Sequence, residues 1–198
     1  MAHSKPDDRF KRALEIVLGH EGGVSRDPND RAGDGTGTPH TNLGITLKTV
    51  RDLDADGELG AYLRDAFDVD DDGDIDSADV PGWTRETAEV FYRRFYWDTI
   101  QASALPFSLA LLLFDAAVNM GKSGAVRTFQ RALGVTEDGV VGRVTIQAAL
   151  RRTHDDAFLG KFLAHRLEEN RKALTAKNHF LGWARRCFTL HFEALKEA

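Results

Sequence analysis

From Leu105 to Val118 the chain is apolar almost without a break, and the one carboxylate in that run is Asp115. The run is shorter than the roughly 18 to 20 apolar residues a membrane-crossing helix needs. Pro106 stands where a first helical turn accepts proline, and Gly121 stands where a helix ends. These features predict a helix buried at the centre of a helical body. A chain of 198 residues with 42% hydrophobic content can bury such a helix within one sizeable core or two small lobes.

Helical periodicity recurs along the chain. From about Asp7 to His20, Phe10, Leu14 and Val17 share a stripe. Thr84 is placed to cap a helix carrying Ala88, Phe91 and Phe95, with Tyr92 and Tyr96 on a neighbouring row. Ser123 to Leu133 is amphipathic and ends at Gly134, about Asp155 to Leu174 forms a long helix, and a last helix surrounds Trp183 to Ala194. The fold class expected is all-α, with a short β or irregular element around residues 24–46. Residues 1–198 show no internal repeat and no low-complexity linker, so one folded unit is expected, with an N-terminal part at 7–104 and a helical C-terminal part at 105–198.

The chemistry-bearing residues cluster after the first helix. Gly22 and Gly23 can stop that helix and leave Glu21 at its C-terminus, where the negative end of the helix dipole disfavours the charged carboxylate. Burial would act in the same direction, and a carboxyl protonated near neutral pH can serve as a general acid. Glycoside hydrolysis needs a second carboxylate, and Asp27 and Asp30 follow in the next loop. The same residues are also compatible with an ordinary acidic surface turn.

Glu21-Gly22-Gly23, Asp27-Pro28-x-Asp30 and Thr41-Asn42-x-Gly44-Ile45-Thr46 together resemble the signature of glycoside hydrolase family 108, the N-acetylmuramidases found among phage endolysins and their prophage relatives. Tyr92 to Asp98, then Phe114-Asp115-x-Ala117-Val118-Asn119-x-Gly121, then Phe180 to Trp183 follow in the family's order. The resemblance implies a lysozyme-like body with its catalytic part in 7–104, and a C-terminal part similar to a peptidoglycan-binding domain. It places the catalytic acid on Glu21, the second carboxylate on Asp30, and a catalytic Thr on Thr36 or Thr41. Thr41 is preferred because it stands inside the matching motif. The chain departs from the family by inserting residues 31–40 before that motif. Asn42, Tyr96, Trp97, Asp115 and Asn119 are candidate substrate-binding residues. The aromatics could equally be core, and Asp115 with Asn119 could instead form an internal hydrogen-bond network.

Asp68 to Asp79 fits the twelve-residue EF-hand loop, with carboxylates from Asp68, Asp70, Asp72, Asp76 and Asp79 at positions 1, 3, 5, 9 and 12. Gly73 takes the turn position, Ile75 the apolar position, and Asp74 offers its backbone carbonyl. The formal net charge of −5 would become +2 without the seven aspartates of this segment, so this segment alone outweighs the chain's net negative charge. The expected cofactor is Ca²⁺ in a structural or regulatory role, with Mg²⁺ possible because Asp79 replaces the usual bidentate Glu. Asp52 to Glu58 begins like a second loop but puts Leu63 at its twelfth position.

The lone cysteine, Cys187, cannot form an internal disulfide and reads as a buried thiol. The histidines show no zinc-binding spacing. An acidic chain without a long basic run gives no support to nucleic-acid binding. The N-terminus lacks the apolar region of a signal peptide. The expected partner is bacterial peptidoglycan, and the protein is expected to be a monomer made in the host cytoplasm that a phage holin would admit to the periplasmic wall. A muramidase is the first reading. A lytic transglycosylase acting on the same bond and a non-catalytic, calcium-dependent wall-binding protein are the alternatives.

Overall fold

In a computed structural model, residues 6–20, 24, 38–172 and 176–196 are described, and among them the regular secondary structure is helical apart from one two-stranded ribbon. The all-α, lysozyme-like fold class is therefore observed. The elements in order are α1 (Pro6–Leu18), β1 (Thr41–Asn42), β2 (Ile45–Thr46), α2 (Leu47–Ala55), α3 (Ala61–Phe67), α4 (Arg85–Tyr92), α5 (Phe107–Met120), α6 (Lys122–Leu133), α7 (Arg143–Leu150), α8 (Asp156–Lys172) and α9 (Ala176–Leu195). Short 3₁₀ turns at Val80–Gly82 and Ala102–Ala104 and a π-helical turn at Arg93–Trp97 link them. The chain forms two compact units, Leu14–Arg93 and Met1–Ala13 with Arg94–Ala198.

The second of these units is built around α5. Its residues from Leu109 to Ala117 are completely buried, because an apolar helix with no polar face must be covered all round. Helices α6, α8 and α9 supply the cover. Phe10, Trp97 and Phe114 meet edge to face, with ring centroids 5.5, 6.1 and 5.4 Å apart. Phe129 makes similar contacts with Phe158 and Phe162. Gly134 terminates α6 in the left-handed conformation, as its sequence position predicts.

The Leu14–Arg93 unit packs α2, α3 and α4 around Phe67, Trp83 and Phe91, with the Phe67 ring 4.9 Å from Trp83 and 5.7 Å from Phe91. Thr46 caps α2 by accepting the Thr49 amide, and Thr84 caps α4 by accepting that of Thr87. Helix α2 continues through Ala55, so Asp52 and Asp54 are helical residues, Asp52 pairing with Lys48 and Asp54 with Arg64. The aromatic row expected as one helix is divided instead, with α4 ending at Tyr92 and the π turn following.

Candidate functional site

The motif Thr41-Asn42-Leu43-Gly44-Ile45-Thr46 forms a hairpin in which Thr41 faces Thr46 and Asn42 faces Ile45. Leu43 and Gly44 have φ of +51° and +74°, the pattern of a type I′ turn. For Leu43 this backbone conformation is uncommon and costs on the order of 1 kcal/mol or more. The Tyr92 hydroxyl donates to the Leu43 carbonyl at 2.9 Å and so braces the turn. The Leu47 amide closes the base by donating to the His40 carbonyl at 2.8 Å.

Asn42, expected to contact substrate, is buried, and its side-chain amide donates to the carbonyls of Val80 at 2.9 Å and Trp83 at 3.4 Å. Its observed role is to fasten the hairpin. Thr41 differs, because its hydroxyl oxygen is sealed from solvent and has no hydrogen-bond partner among the described residues. A buried hydroxyl left unsatisfied is costly in a finished core. Glu21, Asp27, Asp30, Asp34 and Thr36 lie outside the described residues. Helix α1 ends at Leu18, a few positions before Glu21.

In the other unit, Trp97 is fully buried among Phe10 and Phe114, and its indole donates to the Ser103 hydroxyl at 2.8 Å. Asp115 is also fully buried. Its Oδ2 lies 2.6 Å from Arg166 Nη1 and its Oδ1 lies 2.6 Å from Arg186 Nη2. Burial pushes the Asp115 carboxyl up, and the two guanidiniums more than offset this and hold it below the ordinary carboxylate range. The two expectations for Asp115 thus resolve toward the internal network, which ties α5 to α8 and α9. Tyr96 and Asn119 keep partial exposure, and the Lys122 ammonium lies 5.9 Å from the centre of the Tyr96 ring.

The glycine-rich turn after α6 has a structural explanation in Gln130. Its amide donates to Asp138 at 2.6 Å, the Val140 carbonyl at 2.9 Å and Thr145 at 3.1 Å, while its oxygen accepts the Gly139 amide at 2.9 Å. A groove of about 250 Å³ between α8 and α9 is apolar, lined by Leu163, Leu167, Cys187, Phe188 and His191 among others. Its lining holds no carboxylate, so it is unsuited to acid-assisted sugar chemistry. Burial pushes the Cys187 thiol up, which fits a structural rather than reactive cysteine.

The acidic loop follows α3 directly. Asp68, Asp70 and Asp79 bring carboxylate oxygens within 4.8 Å of one another. Asp72, Asp74 and Asp76 are outside that group; Asp72 accepts the Asp74 amide and Asp76 accepts that of Ala78. Desolvation and then the charges of Asp72 and Asp79 push the Asp70 carboxyl up, and the charge of Asp72 does the same to Asp74. Sequence reasoning missed two arginines here. Arg64 donates to the Gly73 carbonyl at 2.7 Å and lies 3.9 Å from Asp68, while Arg51 donates to the Ile75 carbonyl at 2.6 Å. Arg64 stands four residues before Asp68, a spacing that could have revealed it; Arg51 gave no local signal.

The chain matches the family model described as Glycosyl hydrolase 108 over residues 14–121, more than half its length. It is also similar to the solved structure of Brucella abortus SagA, with 27% sequence identity and a TM-score of 0.74, over 95% of this chain and 94% of that one. Comparison with curated proteins finds no match.

Proposed function

The chain belongs to the glycosyl hydrolase 108 family, and on that premise we propose that it is a peptidoglycan hydrolase cleaving the β-1,4 bond between N-acetylmuramic acid and N-acetylglucosamine. The observation that carries this reading is the extent of the family match, which takes in Glu21, Asp30 and the Thr41–Thr46 motif together. Glu21 protonates the leaving oxygen, and Asp30 assists the attacking water. Thr41 orients that water or the sugar, a role supported by its buried and unsatisfied hydroxyl on a braced hairpin.

The helical C-terminal part, 105–198, contributes wall attachment in this reading. No helix among the described residues is long and apolar enough to cross a membrane. If the protein acts as an endolysin, a holin admits it to the wall. A lytic transglycosylase is the second reading, since the sugar's own hydroxyl could replace water. A calcium-dependent wall-binding protein without catalysis is the third.

Mass spectrometry of fragments released from purified peptidoglycan decides among the three. Reducing-end N-acetylmuramic acid products from the wild type, lost in Glu21→Gln, would establish the muramidase. Anhydro products would establish the transglycosylase, and no release by either protein would leave wall binding.

A further inference from the structure

We infer that Asp68, Asp70 and Asp79 bind a calcium ion, and that this ion holds in place the segment to which the Thr41 hairpin is fastened. Oxygens bound to one calcium at 2.3–2.6 Å lie at most about 5 Å apart. The three carboxylates meet that condition. Asp68 adds an independent observation, because its side chain is only 5% exposed and its Oδ1 is sealed from solvent without a hydrogen-bond partner among the described residues. Arg64 stands 3.9 Å from the other oxygen, Oδ2, so Oδ1 is left open to a cation.

The remaining bonds arrange the site for an ion without using it up. Asp68 Oδ2 accepts the Gly73 amide at 3.1 Å, and Gly73 makes the turn at φ +95°. Asp79 Oδ1 accepts the amides of Val69 at 2.5 Å and Asp70 at 3.3 Å, and its Oδ2 accepts that of Asp76 at 2.7 Å. A carboxylate offers about four lone-pair sites, so Asp79 retains capacity for a cation. Asp70 is exposed and gives the ion a way in. Carboxylate oxygens and an open side for water suit a hard cation with a flexible shell, which favours calcium over magnesium.

A path runs from the ion to the hairpin through single contacts. The Gly82 amide donates to the Asp79 carbonyl at 2.8 Å, placing the Val80–Gly82 turn directly on the last ligand. A Cβ added to Gly82 would come within 2.7 Å of Val69 Cγ1, so the exit of the loop packs tightly on its entrance. The Trp83 indole donates to the Phe67 carbonyl at 3.1 Å, tying the exit to α3. The carbonyls of Val80 and Trp83 then receive the Asn42 amide beside Thr41. The binding site does not depend on the hydrolase reading; only the meaning attached to Thr41 does.

The test uses the full chain stripped with chelator, calcium and magnesium at roughly 1 mM in separate arms, and readouts of calorimetric binding, melting temperature and hydrogen exchange over residues 41–47. Calcium is expected to bind, to raise the melting temperature by several degrees, and to slow hairpin exchange about tenfold. Asp70→Asn, at an exposed position, should abolish all three effects. Asn42→Ala should keep binding while losing the response of the hairpin. Absence of calcium binding by the wild type, or an equal effect of magnesium, would overturn the site, and binding that leaves hairpin exchange unchanged would overturn the coupling. A chain that answers calcium as expected yet releases nothing from peptidoglycan would count against the hydrolase reading alone.

Discussion

The side-chain amide of Asn42 donates to the backbone carbonyl of Val80 at 2.9 Å, a bond that joins residues 38 positions apart. It explains why a motif on a hairpin only two residues deep can hold a fixed shape. Asn42→Ala leaves the Val80 carbonyl buried without this donor, and the expected cost is about 1–3 kcal/mol. For a chain of this length each kcal/mol lowers the melting temperature by about 2–4 °C. Thermal unfolding should show that loss. A variant with an unchanged melting temperature and a raised KM would show instead that Asn42 meets the sugar.

Thr41 should behave in the opposite way. Thr41→Val replaces a buried hydroxyl that has no partner among the described residues by a methyl group of the same shape, so the fold should be unharmed or slightly more stable. If the hydroxyl orients water or substrate, turnover should fall by about 10²-fold, within the range for a single positioned group. Full turnover by this variant would remove Thr41 from the chemistry and return interest to Thr36.

Asp115 joins three helices through two guanidiniums. Asp115→Ala would remove the carboxylate that Arg166 and Arg186 share inside the core, at a cost of about 3–5 kcal/mol. The pH dependence has a definite sign. The folded carboxyl is held below its unfolded value, so its contribution is complete above the unfolded pKa of about 3.9 and disappears as pH falls through the folded value. Urea midpoints should therefore decline below about pH 4 in the wild type. A variant with apolar residues replacing Asp115, Arg166 and Arg186 together should lack this component, and an identical acid profile in the two proteins would refute it.

Tyr96 and Trp97 are neighbours with different prospects. Trp97→Ala empties a space between Phe10 and Phe114 and should cost about 3–5 kcal/mol. Tyr96→Ala, at a partly exposed site, should cost less than half of that. If Tyr96 stacks on the glycan, its loss should appear chiefly as weaker binding to purified wall material, measured by co-sedimentation. Equal sedimentation of wild type and variant would confine Tyr96 to a packing role.

Much of the fold was legible where local physics decides it. The Thr84 cap, the ends of α5 and α6 at Gly121 and Gly134, and the buried character of Leu109–Ala117 follow from short-range pattern. The division at Tyr92 was not legible, because a π turn keeps the aromatic spacing of an α-helix over so short a run. Helix α2 was hidden by its aspartates, which imitate the start of a second cation loop. In the candidate site, spacing singled out Asp68, Asp70 and Asp79, which do converge, together with Asp72, Asp74 and Asp76, which lie outside that group; the duties of Asn42 and Asp115 it did not reveal. Their partners are Val80 in one case and Arg166 and Arg186 in the other, all distant in sequence. A polar side chain inside a family motif looks the same whether it grips substrate or backbone.

The anchors of the Thr41 hairpin described here, Val80, Trp83 and Tyr92, all come later in the chain than the hairpin itself. The hairpin therefore takes its shape from chain that follows it by as many as 49 positions. A change in α3, in the acidic loop or in α4 reaches the Thr41–Thr46 motif without altering any of its residues.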